Sequence, residues 1–398
     1  MKKTRAILLT IILITITFAS CNLDGSAGIF RQLSQAKEPL SIRYIQLLGA
    51  DSNPLSSAAK LYFRTTKGIQ EVTNPRTTKT IVASKYEHII QGAAYKANKI
   101  FYITNNEDES DANTVNEYDL LSDTDNPRTV SSIINPTNLR INSLSANGMI
   151  MVEEKDGTGK KFELLKYDAS FNFNVQVASF DFTASSSKYS IHKIIQQTAQ
   201  EQRDDVPMIV SFVEGTDKYI HYLVNPSNKT SQHITEFDNV KIANFMYDSG
   251  KDKTYILTTD GILYHAGTLS APNTKVKMTQ SNKAFGENAF AYVVGDGALY
   301  HMIAKPSNKT SPLQVYSFNY NATTTATVKE VKSGYAKDLS LVTIVSSQMK
   351  DSIASAVSSE LLVATHENGM FDIEIIHADA NKDIPTNGSA SAAEEYTF

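Results

Sequence analysis

The chain of 398 residues has no tryptophan and a single cysteine. One thiol cannot close an internal disulfide, so stability must come from packing. Without tryptophan, aromatic stacking on a sugar would fall to the 19 tyrosines. Missing too are G-x-S-x-G, H-E-x-x-H and the phosphate-binding loop, which removes three common routes to catalysis. No basic excess exists either. The formal charge is −4, and it falls to −7 once Lys2, Lys3 and Arg5 of the leader are removed. That balance lacks the electrostatic footprint for nucleic acid or for adsorption to an anionic bilayer. What is present is ordinary globular composition, 41% hydrophobic and 20% charged, in a chain long enough to bury a large core.

The first twenty residues have their own logic. Lys2, Lys3 and Arg5 precede Ala6 to Phe18, an uncharged run of 13 residues rich in Ile and Leu. This length suits the apolar part of a signal peptide and falls short of the roughly 18–20 residues that span a bilayer. Phe18-Ala19-Ser20-Cys21 follows, with small residues where a protease must accept an extended backbone.

These residues resemble the lipobox of bacterial lipoproteins, which usually has Leu where this chain has Phe18. The looser boxes of spirochaetes are similar. The resemblance implies cleavage before Cys21 and a diacylglyceryl lipid (palmitate-type chains) on its thiol. It also implies an extracytoplasmic protein anchored to the cell envelope, at the outer membrane or cell surface rather than the inner membrane. Two or three acyl chains, at about 0.8 kcal/mol per buried methylene, make such anchoring stable. Residues 1–20 are therefore expected to be a signal peptide and 21–38 a lipidated tether, in which Gly25, Ser26, Ala27 and Gly28 show no structural period.

Residues 39–398 read as strand, turn, strand throughout. Leu61 to Val72 (LYFRTTKGIQEV), Tyr255 to His265 (YILTTDGILYH), Tyr292 to His301 (YVVGDGALYH) and Leu362 to Phe371 (LVATHENGMF) are apolar strands joined by tight turns. Gly68, Gly261, Gly297 and Gly369 supply the positive φ such turns need. Gly157 and Gly215 mark two more hairpins. A seventh, Lys99 to Leu121, has an acidic loop in place of a short turn. The spacing of these hairpins averages about 50 residues, the size of a propeller blade.

An apolar strand leads most hairpins: Ile42 to Leu48, His88 to Ala94, Leu139 to Leu144, Ile191 to Ile195, Val240 to Tyr247 and Leu339 to Val345. The hairpin at Gly297 has the weakest leader. Lys79 to Ala83, Val175 to Phe180 and Leu313 to Phe318 read as fourth strands. Pro-Ser-Asn-Lys-Thr-Ser occurs at 226–231 and 306–311, each five residues after a His, which suggests duplicated units in one register.

The expected fold is all-β, a seven-bladed β-propeller, with six or eight blades or tandem β-sandwiches as alternatives. A single twisted sheet leaves both apolar faces bare, and radial stacking covers them. The last blade needs a fourth strand from Glu394 to Phe398 or from Gly28 to Ser34.

Topology then sorts the loops. Loops between second and third strands share a face with the sheet-to-sheet connections; the others share the opposite face. The acidic loop should thus face away from both Pro-Ser-Asn-Lys-Thr-Ser turns. Two polar inserts, Gln196 to Asp205 and Ser347 to Ser359, fall between first and second strands and make that face a candidate contact surface. Met349 to Val357 could form a short helix.

Asn105, Glu107, Asp108, Glu109 and Asp111 of the acidic loop offer clustered oxygens for a loop contact or a weak Ca²⁺ site. The loop lacks the mid-loop Gly and closing Glu of an EF-hand, and a solvated acidic loop is the favoured reading. His221, His265 and His301 read as repeat-inherited packing residues rather than a metal cluster. No catalytic residue, metal or cofactor beyond the lipid is expected.

The functional expectation is a non-enzymatic, monomeric, membrane-anchored propeller that binds an unknown protein partner as scaffold, envelope-assembly factor or adhesin. A propeller enzyme or ligand-binding receptor acting on a glycan or small molecule in the axial channel is the alternative. Convergent carboxylates at the channel mouth would favour that alternative.

Overall fold

A computed structural model of the chain describes residues 44–280, apart from loops at 52–59, 74–76, 85–88, 106–114, 132–138, 155–159, 197–204 and 249–251 and positions 146, 186, 261 and 278. Beyond residue 280 it describes the strands named below, and side chains are described up to Lys277. Contacts separate Met1–Ile42 from Arg43–Phe398, and the second unit has the architecture that follows.

Among the described residues, seven antiparallel sheets succeed one another along the chain. Sheet 1 holds β1 (Tyr44–Ala50), β2 (Leu61–Thr65), β3 (Gly68–Thr73) and β4 (Thr77–Ala83). Sheet 2 holds β5 (Ile89–Lys96), β6 (Lys99–Asn105), β7 (Val115–Asp119) and β8 (Thr124–Arg128). Sheet 3 holds β9 (Leu139–Leu144), β10 (Met149–Glu154), β11 (Lys161–Tyr167) and β12 (Phe173–Asp181). Sheet 4 holds β13 (Tyr189–Gln196), β14 (Met208–Glu214), β15 (Lys218–Asn225) and β16 (Thr230–His233). Sheet 5 holds β17 (Ile242–Asp248), β18 (Lys253–Thr258), β19 (Leu263–Gly267) and β20 (Val276–Lys277).

Sheet 6 runs β22 (Tyr292–Gly295), β23 (Leu299–Ala304), β24 (Gln314–Asn319) and β25 (Thr327–Ser333), with β21 (Thr279–Gln280) parallel to β25 at its edge. Sheet 7 runs β26 (Leu341–Ile353), β27 (Ala356–Thr365), β28 (Met370–His377) and β29 (Ser389–Ala390), and β30 (Glu394–Glu395) also pairs with β28. One 3₁₀ turn, Thr235–Phe237, is the single helical element among the described residues.

The packing explains the architecture. Strand periodicity sends alternate side chains to opposite faces, and here both faces are buried. On β10, Met149 and Met151 pack with Met208, Val210 and Phe212 of sheet 4, while Ile150 and Val152 pack with Phe101 and Val115 of sheet 2. On β14, Ile209 faces the next sheet instead, with Phe245 and Ile256. Sheets 1 and 2 meet through Leu48, Ile69, Ala93 and Ile100. Each fully buried aliphatic or aromatic side chain contributes about 1.5–3 kcal/mol.

First strands form the inner ring. β1 lies beside β5, β5 beside β9, β13 beside β17, β17 beside β22, and β22 beside β26. β26 lies beside β1, so the ring closes. Gly92 allows one of these close approaches: a Cβ there would sit 3.0 Å from the Leu144 carbonyl of β9. At the rim, chain leaving one sheet covers the next sheet's edge. Ser131 donates to Phe173 O and Phe173 donates to Thr129 O, both at 2.9 Å, in a parallel bridge, and β21 does the same for sheet 6. Covered edges resist strand addition by other molecules. Stacked four-stranded meanders closed into a ring define a β-propeller.

Several sequence expectations hold in detail. Gly68 and Gly215 take φ of +119° and +64° at second-to-third turns; Gly157, Gly261, Gly297 and Gly369 lie outside the described residues. The C-terminal Glu394–Glu395, with Ser389–Ala390, supplies the outer strand of sheet 7; the alternative Gly28 to Ser34 lies outside the described residues.

Sheet 6 corrects the reading of its repeat. The hairpin around Gly297 joins the first and second strands, β22 and β23. Its weak leader is explained, because Tyr292–Gly295 is itself the first strand. Leu313 to Phe318 accordingly lies mostly in the third strand, β24. Residues 306–311 therefore connect second to third strands, whereas 226–231 connect third to fourth. The two copies do not share a register, and the acidic loop faces away only from the copy at 226–231. Met349 to Val357 forms no helix: its residues belong to the β26–β27 hairpin, whose ladder runs from Leu341 opposite Thr365 to Ile353 opposite Ala356.

Candidate functional site

Six of the seven inner strands carry the same irregularity near their start. Register slips leave Ile45, Gln91, Asn142, His192, Ala243 and Val342 without a directly opposed partner. Such bulges disrupt the ladder locally and re-aim side chains and carbonyls. Two of them receive a cation from the preceding sheet. Arg64 Nη1, on β2, donates to the Gln91 carbonyl at 2.8 Å and to the Ile90 carbonyl at 3.3 Å. Lys193 Nζ, on β13, donates to the Ala243 carbonyl at 3.3 Å. Neighbouring sheets are thus tied at the axis by long basic side chains.

His221 forms a third tie, between sheets 4 and 5. It sits on β15 with no exposure. Its Nε2 lies 2.8 Å from the Val240 carbonyl, just before β17, and its Nδ1 lies 2.7 Å from Ser211 Oγ. A carbonyl only accepts, so Nε2 carries the proton and Nδ1 accepts from the hydroxyl. Burial pushes this imidazole down to about 4, despite the Val240 bond and Asp238 acting the other way. The ring is neutral and fully occupied at physiological pH.

Acidic groups in sheet 2 are occupied in the same manner. Glu117 has no exposure and accepts from Lys99 Nζ at 2.6 Å and from Arg128 at 2.5 and 2.6 Å. Asp119 takes the other side of Lys99 at 2.7 Å, and that bond, with the Leu121 and Ser122 amides, draws its carboxyl down to about 2. Tyr118 and Tyr102 donate to Asp123 and Asp125.

The inner strands present a different chemistry to the axis. β1, β5, β9 and β13 contain no Asp or Glu; β17 has Asp248 as its last residue. Arg140, His192 and Lys193 are exposed on these strands, and Lys241 is exposed immediately before β17. The joint between sheets 4 and 5 concentrates them. His192 meets the Tyr219 ring edge-on at 4.9 Å, and Lys241 Nζ lies 5.6 Å from the same ring. His192 is held below the usual histidine value by burial first, then by Lys193 and Lys241. Lys193 is open to solvent on one side and ringed by chain on the others, and that burial lowers its ammonium below the usual lysine value.

The residues singled out from the sequence are spread apart. Asn105 ends β6 opposite Ile89. Cys21, Glu107, Asp108, Glu109 and Asp111 lie outside the described residues. His265 is buried on β19, its ring 5.8 Å from Tyr255, and burial followed by Lys253 lowers its pKa. His301 is on the second strand of sheet 6, opposite Val294, so it does not occupy the place of His221 and His265 on third strands. Among the described residues no group of three His, Cys, Asp or Glu side chains could hold a metal. Sequence reasoning missed the axial bases. Their signal was the placement of Arg140, Lys193 and Lys241 near the starts of successive leading strands.

No family model matches the chain, and no curated protein does. Solved propeller structures are similar in outline. The Dos1 propeller is 13% identical, with 90% of this chain and 86% of that one covered and a TM-score of 0.49. Hsv2 of Kluyvelomyces marxianus is 10% identical, covering 89% and 100% at 0.45. KlAtg21, solved with the coiled-coil of AgAtg16, is 9% identical, covering 89% and 99% at 0.48. At these scores the likeness adds no argument to the strand order itself. The chain is an all-β propeller on its own sheet topology.

Proposed function

We propose that this chain is a lipid-tethered, extracytoplasmic propeller that binds a protein partner and is not an enzyme. One observation carries the reading: two buried groups capable of acid–base chemistry, His221 and Glu117, are engaged in bonds that hold, respectively, two sheets and the strands of one sheet together. His221 has both nitrogens engaged, and Glu117 accepts from two cations. A catalytic acid or base needs an open position toward substrate, and neither has one.

The opposite face from the acidic loop supplies the contact surface. β26 has 13 residues where the other first strands have four to eight, so the β26–β27 hairpin extends that face. The insert between β13 and β14 opens on the same face. Leu121, 81% exposed, crowns the β7–β8 turn there as well. Loops carried by a rigid disc suit recognition without a deep cleft.

The anchor is the lipid on Cys21, and the site of action is the cell envelope, at the outer membrane or cell surface. Two experiments test the reading. Cys21→Ser protein should leave the membrane fraction; full retention there contradicts the anchor. Photo-crosslinkers placed at 349–352 of the hairpin should trap a protein in intact cells, and replacing 347–359 by a short turn should abolish crosslinks from a reporter at Leu121. Identical crosslinks from the shortened variant contradict the contact face.

A further inference from the structure

At the joint between sheets 4 and 5, Lys193 and Lys241 carry positive charge that no carboxylate among the described residues pairs. The mature chain is acidic overall, yet Lys241 lies over Tyr219 and Lys193 reaches the Ala243 carbonyl beside it, with the neutral His192 ring, which burial and then both lysines hold below the usual histidine value, against Tyr219. None of the three forms an ion pair among the described residues. The nearby carboxylates among the described residues are engaged elsewhere. Asp238 pairs with His233 at 2.8 Å, and Glu214 pairs with Lys218 at 3.7 Å and accepts from Ser187. Asp217, at the β14–β15 turn, accepts from Thr216. Farther around the axis, Arg64 and Arg140 also have no carboxylate partner among the described residues.

Cations brought partly out of water without a counter-charge are costly, and an arriving anion recovers that cost. The arrangement is also shaped. Tyr219 is 5% exposed and fixed by its hydroxyl, which donates to Thr216 O at 3.2 Å. Asn239, in the left-handed region at φ 61°, donates its amide to the Tyr219 carbonyl at 2.8 Å and so sets the connection that leads to Lys241. Asn is among the few residues that take this conformation readily. His192 and Lys241 therefore sit on a fixed aromatic ring between two sheets, and Lys193 is held beside them by the Ala243 carbonyl.

We infer that this joint, on the face bearing the sheet-to-sheet connections, docks an acidic peptide segment of a protein partner. The inference rests on the protein-binding reading and names a partner chemistry for a second face. An extended peptide with carboxylates on alternate residues presents them along one side, about 6.8 Å apart. Charge complementarity of this type sets association rate and choice of partner.

The test uses the full chain in detergent and a fluorescein-labelled hexaglutamate peptide, followed by anisotropy. Binding at low salt should weaken as salt rises, because exposed charges are screened beyond about 10 Å at 0.1 M. Lys193→Gln with Lys241→Gln should weaken it about tenfold, while Lys193→Arg with Lys241→Arg should hold it within about twofold. Lys241→Gln alone, which removes no hydrogen bond, guards against unfolding and should still weaken binding measurably. No binding, or equal binding by all variants, overturns the inference. Tighter binding of a single-stranded oligonucleotide of equal charge also overturns it. Loss of hairpin crosslinks at the other face is read separately, so failure here leaves the general protein-binding reading intact.

Discussion

Lowering the pH should loosen the joint between sheets 4 and 5 through His221. The neutral ring is favoured in the folded state, where its pKa is about 4. In the unfolded chain a histidine titrates near 6.5. The unfolded state therefore binds the proton first, and stability falls as pH drops. The contribution is complete above about 6.5 and is lost progressively down to about 4. A gap of about 2.5 pH units corresponds to about 3 kcal/mol, since each unit is worth about 1.36 kcal/mol.

The measurement is urea unfolding at pH 7, 6, 5 and 4, followed by circular dichroism, for wild type and His221→Gln. The variant should lose about 1–3 kcal/mol at pH 7, because Ser211 and the Val240 carbonyl lose their shared partner. Between pH 7 and 4 its curve should be flatter than wild type by about 3 kcal/mol. His265, also lowered by burial, leaves a residual slope of the same sign in both proteins. Asp119 is drawn down to about 2, so its own loss with acid falls at lower pH and does not imitate this window. Parallel curves for the two proteins would refute the assignment of His221 as a neutral joint.

Two further substitutions probe the packing. Glu117→Gln leaves Lys99 and Arg128 facing a neutral group that is fully buried, and it should cost about 3–5 kcal/mol in urea unfolding at neutral pH; a change under about 1 kcal/mol contradicts the ion cluster's role. Gly92→Ala places a methyl 3.0 Å from backbone in sheet 3, and it should destabilise by about 1–3 kcal/mol, whereas a stabilised variant contradicts the close approach of β5 and β9.

Much of the fold was legible because a strand buried on both faces has a plain sequence signature. Leu139 to Leu144 coincides with β9, and His88 to Ala94 overlaps all but the last two residues of β5. Gly68 and Gly215 advertised positive φ, and both take it. Gly297 advertised a turn equally well, but a turn's chemistry does not reveal which two strands of a sheet it joins. That ambiguity shifted sheet 6 by one strand and carried His301 out of register with His221. Met349 to Val357 misled for another reason. Its Ser, Ala and Lys residues have weak local preference, and pairing with β27 decides their conformation. The axial bases were legible as residues but not as a group. Their meeting depends on bulges at Gln91, His192 and Ala243, and on sheets packed side by side, none of which local sequence encodes.

Closure of the ring tests the whole account most directly. Spin labels at Gln46 of β1 and Thr343 of β26, in a Cys21→Ser background, report on strands nearly 300 residues apart in sequence that lie side by side in the fold. Pulsed electron resonance should give one narrow distance, under about 25 Å with label arms included. A broad distribution centred beyond about 40 Å, roughly twice the radius of gyration of a compact unit this size, would mean the first and last sheets never meet.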